Sequence, residues 1–131
     1  KALSGQFMQL KACVVASTYC NSWVFEALDP ADPFRSMAQA YSSIFICHSD
    51  DSKEAYMQRM IEHFKVDGVL YHDCKTCPNN SNSRYGLPQR LRDVTGKPFV
   101  IINGDHNDLR LFSEEQTRTN LEAFAEQLVE V

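Results

Sequence analysis

No apolar run in this sequence of 131 residues approaches the roughly 20 residues that a bilayer span needs. The longest candidates, Val69-Leu70-Tyr71 and Phe99-Val100-Ile101-Ile102, are strand-sized. A membrane-spanning helix is excluded. Positive charge is not in excess: 13 Lys and Arg stand against 17 Asp and Glu, a formal charge of −4. Nucleic-acid binding normally rests on a basic patch, so no nucleic-acid partner is expected. No charged-then-apolar leader opens the chain, which starts at Lys1 rather than Met. The expectation is a domain cut from a longer protein. No repeat or low-complexity segment appears. No Gly-x-Gly-x-x-Gly follows a strand-like segment, so a dinucleotide site has no support. No Gly-x-Ser-x-Gly or Ser-His-Asp pattern supports a hydrolase. Cysteines are few and odd in number: Cys13, Cys20, Cys47, Cys74 and Cys77 make five. A secreted disulfide scaffold carries a denser, even set, so the expected compartment is reducing and cytoplasmic.

What is present suits one soluble domain. An apolar share of 44% and a charged share of 23% are ordinary for a globular chain. The length fits a single core. Three short apolar segments read as buried strands: residues 12–16, 68–72 and 98–103. Their runs are continuous rather than alternating, as in a parallel sheet covered on both faces.

Helices lie between and after them. Over residues 52–65, Tyr56, Met57, Met60, Ile61 and Phe64 share one stripe, a core stripe rather than a cofactor box. Asp50, Asp51 and Ser52 are its cap candidates. Residues 87–95 form a shorter helix with Leu87, Leu91 and Val94 on one side and Gly96 as its stop. Ser113-Glu114-Glu115-Gln116 is a capping box that opens a last helix, with Leu121, Phe124, Ala125 and Leu128 inward. Helices near 22–28 and 34–43 flank the turn Asp29-Pro30-Ala31-Asp32-Pro33. Cys13 and Cys47 sit among apolar neighbours and read as small buried hydrophobes. The expected fold is α/β: a three-layer, Rossmann-like or flavodoxin-like, mostly parallel sheet flanked by helices over residues 1–131. Ligands of such sheets gather at the carboxyl ends of the strands. Loops 17–22, 73–86 and 103–112 therefore share one edge.

The second of these loops carries chemistry. It holds Cys74-Lys75-Thr76-Cys77 directly after a strand. Two thiols at this spacing can chelate a metal, form a redox disulfide, or contribute to an iron–sulfur cluster. A structural zinc site wants four ligands, and only one pair is present. A thioredoxin-like dithiol wants the first cysteine at a helix N-terminus, whereas Pro78 and a polar run follow Cys77. A cluster wants thiolates on a loop whose backbone N–H groups can reach the sulfurs. A four-cysteine ferredoxin run is absent, so further ligands must come from elsewhere.

The order Asp67-Gly68-Val69-Leu70-Tyr71-His72, Cys77, Gly96-Lys97-Pro98, Asn103-Gly104-Asp105, Asp108, Glu114-Glu115-Gln116, Thr119 and Leu121-Glu122-Ala123-Phe124 resembles the C-terminal domain of the 2-hydroxyacyl-CoA dehydratase and class I benzoyl-CoA reductase family. Residues 82–91 look more like the benzoyl-CoA reductase branch. The resemblance implies a cytoplasmic enzyme of radical acyl-CoA chemistry: reduction of benzoyl-CoA-type rings or dehydration of 2-hydroxyacyl-CoA. It implies a [4Fe–4S] cluster with its remaining ligands outside this chain. It implies an acyl-CoA substrate, a related cluster-bearing subunit in a heterodimer, and an ATP-hydrolysing activator that donates one electron.

Carried onto this sequence, Cys77 is the cluster ligand, with Cys74 as a second cofactor-binding candidate. His72 is either a strand-end histidine satisfied by a loop carbonyl or a catalytic proton donor; an unperturbed imidazole near pKa 6.5 suits that work. Lys75 and Arg84 read as surface charges, or as partners of a CoA phosphate. Asp105, His106 and Asp108 read as loop caps rather than metal ligands. Trp23 and Phe25 beside Cys20 either wall a cavity or are simply buried, and Ser17-Thr18-Tyr19 leaves Cys20 without the acidic pair some members carry. From another class, the alternative is a thiol–disulfide redox, electron-transfer or docking module that uses Cys74 and Cys77.

Overall fold

Two parallel strands organise the chain in a computed structural model that describes residues 2–21, 23–25, 27–77, 81–105 and 107–129. β1 is Val69–Cys74 and β2 is Phe99–Gly104. Val69 stands opposite Phe99 and Cys74 opposite Gly104, so both strands end at the same level. Both are the apolar, β-branched segments anticipated from composition. The connection between them contains α5 (Leu87–Thr95).

Alternation of side chains across the strands divides the core in two. On one face Tyr71 packs with Phe45, Met57, Ile61, Leu87 and Leu91, joined by Val69, Phe99 and Ile101. These come from a 3-10 turn at Phe45–Cys47, α4 (Asp50–Phe64) and α5. On the other face Val100 and Ile102 pack with Leu121, joined by Leu70, Phe124, Leu3 and Phe7. That cover comes from α1 (Ala2–Gln9) and α6 (Glu114–Val129). A two-stranded parallel sheet flanked by helices is therefore the observed architecture. Gly68 lies under α6: an added Cβ would meet Leu128 Cδ2 and Phe124 Cζ at 2.6 Å each.

The helix ends show how local chemistry starts and stops each element. Ser49, rather than Asp50, Asp51 or Ser52, caps α4 by accepting from Ser52 N at 3.4 Å. Asp50 and Asp51 occupy its first turn, where negative charge suits the helix N-terminus. Lys65 closes α4 in the left-handed region at φ 53°. α3 (Pro33–Ser42) starts where Asp32 accepts from Arg35 N. Gly96 ends α5 at φ 70°. At α6, Ser113 Oγ accepts from Gln116 N at 3.3 Å, but the Gln116 side chain reaches Asn120 instead of returning to Ser113. Only half of the capping box forms.

Several expectations are corrected. Residues 12–16 form no strand, and Val14 and Val15 are exposed. Among the described residues, the sheet consists of β1 and β2 alone. Upstream, α1 closes with Lys11 at φ 55° and Ala12 N donating to Phe7 O, which turns the chain out of helix without delivering it to a strand edge. Cys13 is exposed for the same reason. Cys47 is exposed because Ile44 and Phe45 take the buried positions of their turn. The helix expected near 22–28 is displaced to α2 (Thr18–Asn21); residues 23–25, 27 and 28 are not helical, and residues 22 and 26 lie outside the described residues. Val94 is exposed at the end of α5, while Leu87 and Leu91 are buried as expected. α1 has no counterpart in the sequence pattern. Among the described residues, no helix is long and apolar enough to cross a membrane.

Candidate functional site at the strand ends

The in-register ending of β1 and β2 places two loops side by side. Lys75 N donates to Gly104 O at 3.4 Å, the last rung of the ladder. The chain then turns, and Cys77 N donates to Cys74 O at 3.4 Å. Ser81, itself buried, donates its hydroxyl to Cys74 O at 2.6 Å and approaches Cys77 O at 3.2 Å. The two cysteines thus sit on one tight turn at the carboxyl end of β1. They differ sharply in environment. Cys74 is 1% exposed, whereas Cys77 is exposed.

Asp105, the first residue after β2, ties this turn to the opposite loop. Its Oδ2 accepts from Thr76 N at 2.8 Å and from Cys74 Sγ at 3.6 Å. Its Oδ1 accepts from Thr76 Oγ1 at 2.9 Å, Asn107 N at 2.8 Å and Asp108 N at 3.2 Å. The N–H of Asn107, then the Thr76 hydroxyl, hold this carboxyl well below the usual carboxylate range; burial opposes them and loses. Asp108 in turn pairs with its neighbour Arg110 at 2.7 Å. The reading of Asp105 and Asp108 as loop caps is therefore the observed one. His106 lies outside the described residues.

His72 and Cys74 share a face of β1. The His72 ring lies over Gly104: a Cβ there would come within 2.6 Å of Nε2. Gly104 therefore supplies the space that the imidazole occupies. On the opposite face, Asp73 pairs with Lys75 and meets Arg84 Nε at 3.5 Å. Burial pushes the Asp73 carboxyl up, but Lys75, Ser83 and Arg84 outweigh it and leave it below its ordinary value. Lys75 and Arg84 are thus engaged within the chain. Arg90 braces the loop from below, bonding Glu54 at 2.8 Å and the Tyr85 carbonyl at 2.6 Å. A shallow groove of about 210 Å³ opens beside it, with His48, Lys53, Arg84 and Tyr85 in its wall.

The fold therefore assembles three of the sequence-predicted residues, His72, Cys74 and Cys77, at one strand end. The rings of Trp23 and Phe25 instead join a series running from Tyr19 to Tyr41 of α3. Cys20 is exposed. Thr76 and Ser81 escape sequence reasoning. Thr76 lies inside the Cys-x-x-Cys motif, and hydroxyls there commonly bond nearby backbone or carboxylate groups. Ser81 is hidden in a polar run that reads as loop. Among the described residues, no group of three His, Cys, Asp or Glu could hold a metal ion. The turn offers one exposed thiol.

The family described as 2-hydroxyglutaryl-CoA dehydratase, D-component, matches residues 2–128. The chain belongs to this family. The alpha subunit of lactoyl-CoA dehydratase from Anaerotignum propionicum is 28% identical over 119 residues, which is 91% of this chain and 28% of that protein. The alpha subunit of (R)-2-hydroxyisocaproyl-CoA dehydratase from Clostridioides difficile is 27% identical over 117 residues, 89% of this chain and 28% of that protein. A benzoyl-CoA reductase subunit from Thauera aromatica is 25% identical over 117 residues, 86% of this chain and 27% of that protein. The family resemblance, which runs from about residue 12 to the end and is densest over residues 67–128, is thereby shown. The chain spans little more than a quarter of the length of these relatives, and identities this close do not separate the dehydratase branch from the reductase branch.

Proposed function

We propose that this chain is a domain of a cluster-bearing subunit in an ATP-activated radical enzyme that acts on acyl-CoA thioesters. The reaction is reduction of a benzoyl-CoA-type ring or dehydration of a 2-hydroxyacyl-CoA. Family membership supports the substrate class, because the relatives are named for acyl-CoA thioesters. The observation that carries the site is the exposed Cys77 thiol on a turn fixed at the carboxyl end of a parallel strand pair.

The donor set fits a [4Fe–4S] cluster in part. Cys77 supplies one thiolate, and the remaining ligands come from protein outside this chain. Bound there, a cluster would supply single electrons at low potential. The chain's own residues do the rest. Cys77 would hold the iron. Cys74 stays buried as a thiol that donates to Asp105. His72 Nε2, in the space left by Gly104, gives or takes a proton at the substrate. Ser81, bonded to the Cys74 carbonyl, steadies the turn. A related cluster-bearing subunit completes a heterodimer, and an ATP-hydrolysing activator donates the electron. The sheet, extended in the whole protein, becomes a three-layer Rossmann-like domain. The compartment is cytoplasmic.

The test is iron and acid-labile sulfide in the full-length protein, purified without oxygen, as wild type and as Cys77→Ser. A sharp loss of cluster in the variant supports the proposal. Cluster that is indifferent to Cys77 moves the ligand to Cys74 or Cys20. No cluster in either protein after reconstitution refutes it and favours a thiol redox or docking module.

A further inference from the structure

We propose that Asp105 is the positioning residue that decides which cysteine of the Cys-x-x-Cys turn faces outward. The inference deepens the site proposed above and rests on it only for the use to which Cys77 is put. A Cys-x-x-Cys turn is short, and sequence alone does not order its two thiols. In this fold three bonds to one carboxylate impose the order. Thr76 N and Thr76 Oγ1 both donate to Asp105, at 2.8 and 2.9 Å, which fixes the residue just before Cys77. Cys74 Sγ donates to the same carboxylate at 3.6 Å, which holds that thiol inside. Asp105 is itself held by the N–H groups of Asn107 and Asp108. It is also anchored to β2, whose last residue Gly104 is the rung partner of Cys74. The carboxylate therefore cannot follow the turn if the turn rotates. Cys74 stays buried, and Cys77 is left as the accessible thiol.

The test is residue-resolved alkylation of the cluster-free full-length protein with iodoacetamide, read by peptide mass spectrometry. Wild type is compared with Asp105→Ala and Asp105→Asn. Cys20 and Cys47, both exposed and outside the Cys-x-x-Cys motif, serve as internal references. In wild type, Cys77 reacts faster than Cys74 by at least about tenfold, the factor expected from one hydrogen bond to a charged acceptor. Asp105→Ala removes most of that ratio without changing the Cys20 and Cys47 rates. Asp105→Asn keeps an acceptor oxygen and restores part of the protection. A structural role alone would raise all four rates together. Cys74 that stays protected in Asp105→Ala, or that reacts as fast as Cys77 in wild type, overturns the proposal. If Asp105→Ala does not fold, Asp105→Asn decides: a Cys77-to-Cys74 rate ratio unchanged from wild type also overturns the proposal. Iron content in Cys77→Ser tests the cluster reading separately, so failure of one does not imply failure of the other.

Discussion

Gly104→Ala tests the strand-end geometry most directly. The added methyl would sit 2.6 Å from His72 Nε2, with Cδ2 at 3.3 Å and Cε1 at 3.8 Å. Ordinary contact begins near 3.4 Å, so the ring must retreat by about 0.8 Å, or the strand must shift. Overpacking of this kind costs about 1–3 kcal/mol. The lower half of that range is expected, because the imidazole can swing about its own side-chain torsions. At this chain length that corresponds to a fall in Tm of about 3–5 °C per kcal/mol. Activity falls with it if His72 handles a proton, because the ring loses its place. The assay is a double-mutant cycle on the full-length protein with His72→Ala, followed by thermal unfolding and turnover. In the His72→Ala background the methyl meets no ring. There, Gly104→Ala is neutral or stabilising by about 0.4–1 kcal/mol through a less flexible unfolded chain. The coupling between the two sites is therefore about 1–3 kcal/mol, well above the few tenths seen for independent positions. Additive effects would refute the placement of His72 over Gly104.

Leu121→Ala removes a side chain 1% exposed between α6 and β2, and an unfolding titration in urea should show a loss of about 2–5 kcal/mol. Ser81→Ala removes the hydroxyl that serves the Cys74 carbonyl; a cost of about 1–2 kcal/mol and faster hydrogen exchange across residues 74–77 are expected. Asp105 and Asp73 are both held below their ordinary pKa, so the unfolded chain binds more protons than the native one. Their contribution is complete above the ordinary carboxylate value near pH 4 and is lost as pH falls through the lower native values. Acid unfolding followed by circular dichroism should be shallower in Asp105→Asn than in wild type.

Much of this fold is legible in the sequence because it depends on pattern. β1, β2, α4, α5 and α6 are all visible in apolar runs and helical stripes, and Gly96 marks its helix end. What fails depends on neighbours. Residues 12–16 have the composition of a strand, but a strand exists only where an edge accepts its N–H and C=O groups, and β propensity is mostly a statement about that environment. The burial expected of Cys13 and Cys47 follows from the same composition and fails with it. α1 contains Gly5 and no capping signal, and it is held by Leu3 and Phe7 against α6, a tertiary contact that no local pattern announces.

The site illustrates the same division. Cys74 and Cys77 are equivalent as letters three apart, which is why zinc, disulfide and cluster readings all begin from them. Their difference begins with position on the ladder and is locked by the bonds to Asp105. Cys74 is the last residue of β1, so strand alternation fixes its side chain on the His72 face, opposite Gly104. Cys77 lies past the ladder, on a turn that the Thr76 bonds to Asp105 hold in place. A dithiol switch needs both sulfurs to trade places easily between bonded and free. Here one sulfur is buried against a carboxylate that is tied to a different strand, and opening it would break bonds on both loops. That asymmetry favours a turn that presents a single thiol to something outside the chain. It also explains why Asp105, unremarkable in sequence beyond its place after a strand, matters to the chemistry of a motif on the other loop: the parallel register brings Gly104 to Cys74, and the next residue inherits the neighbourhood.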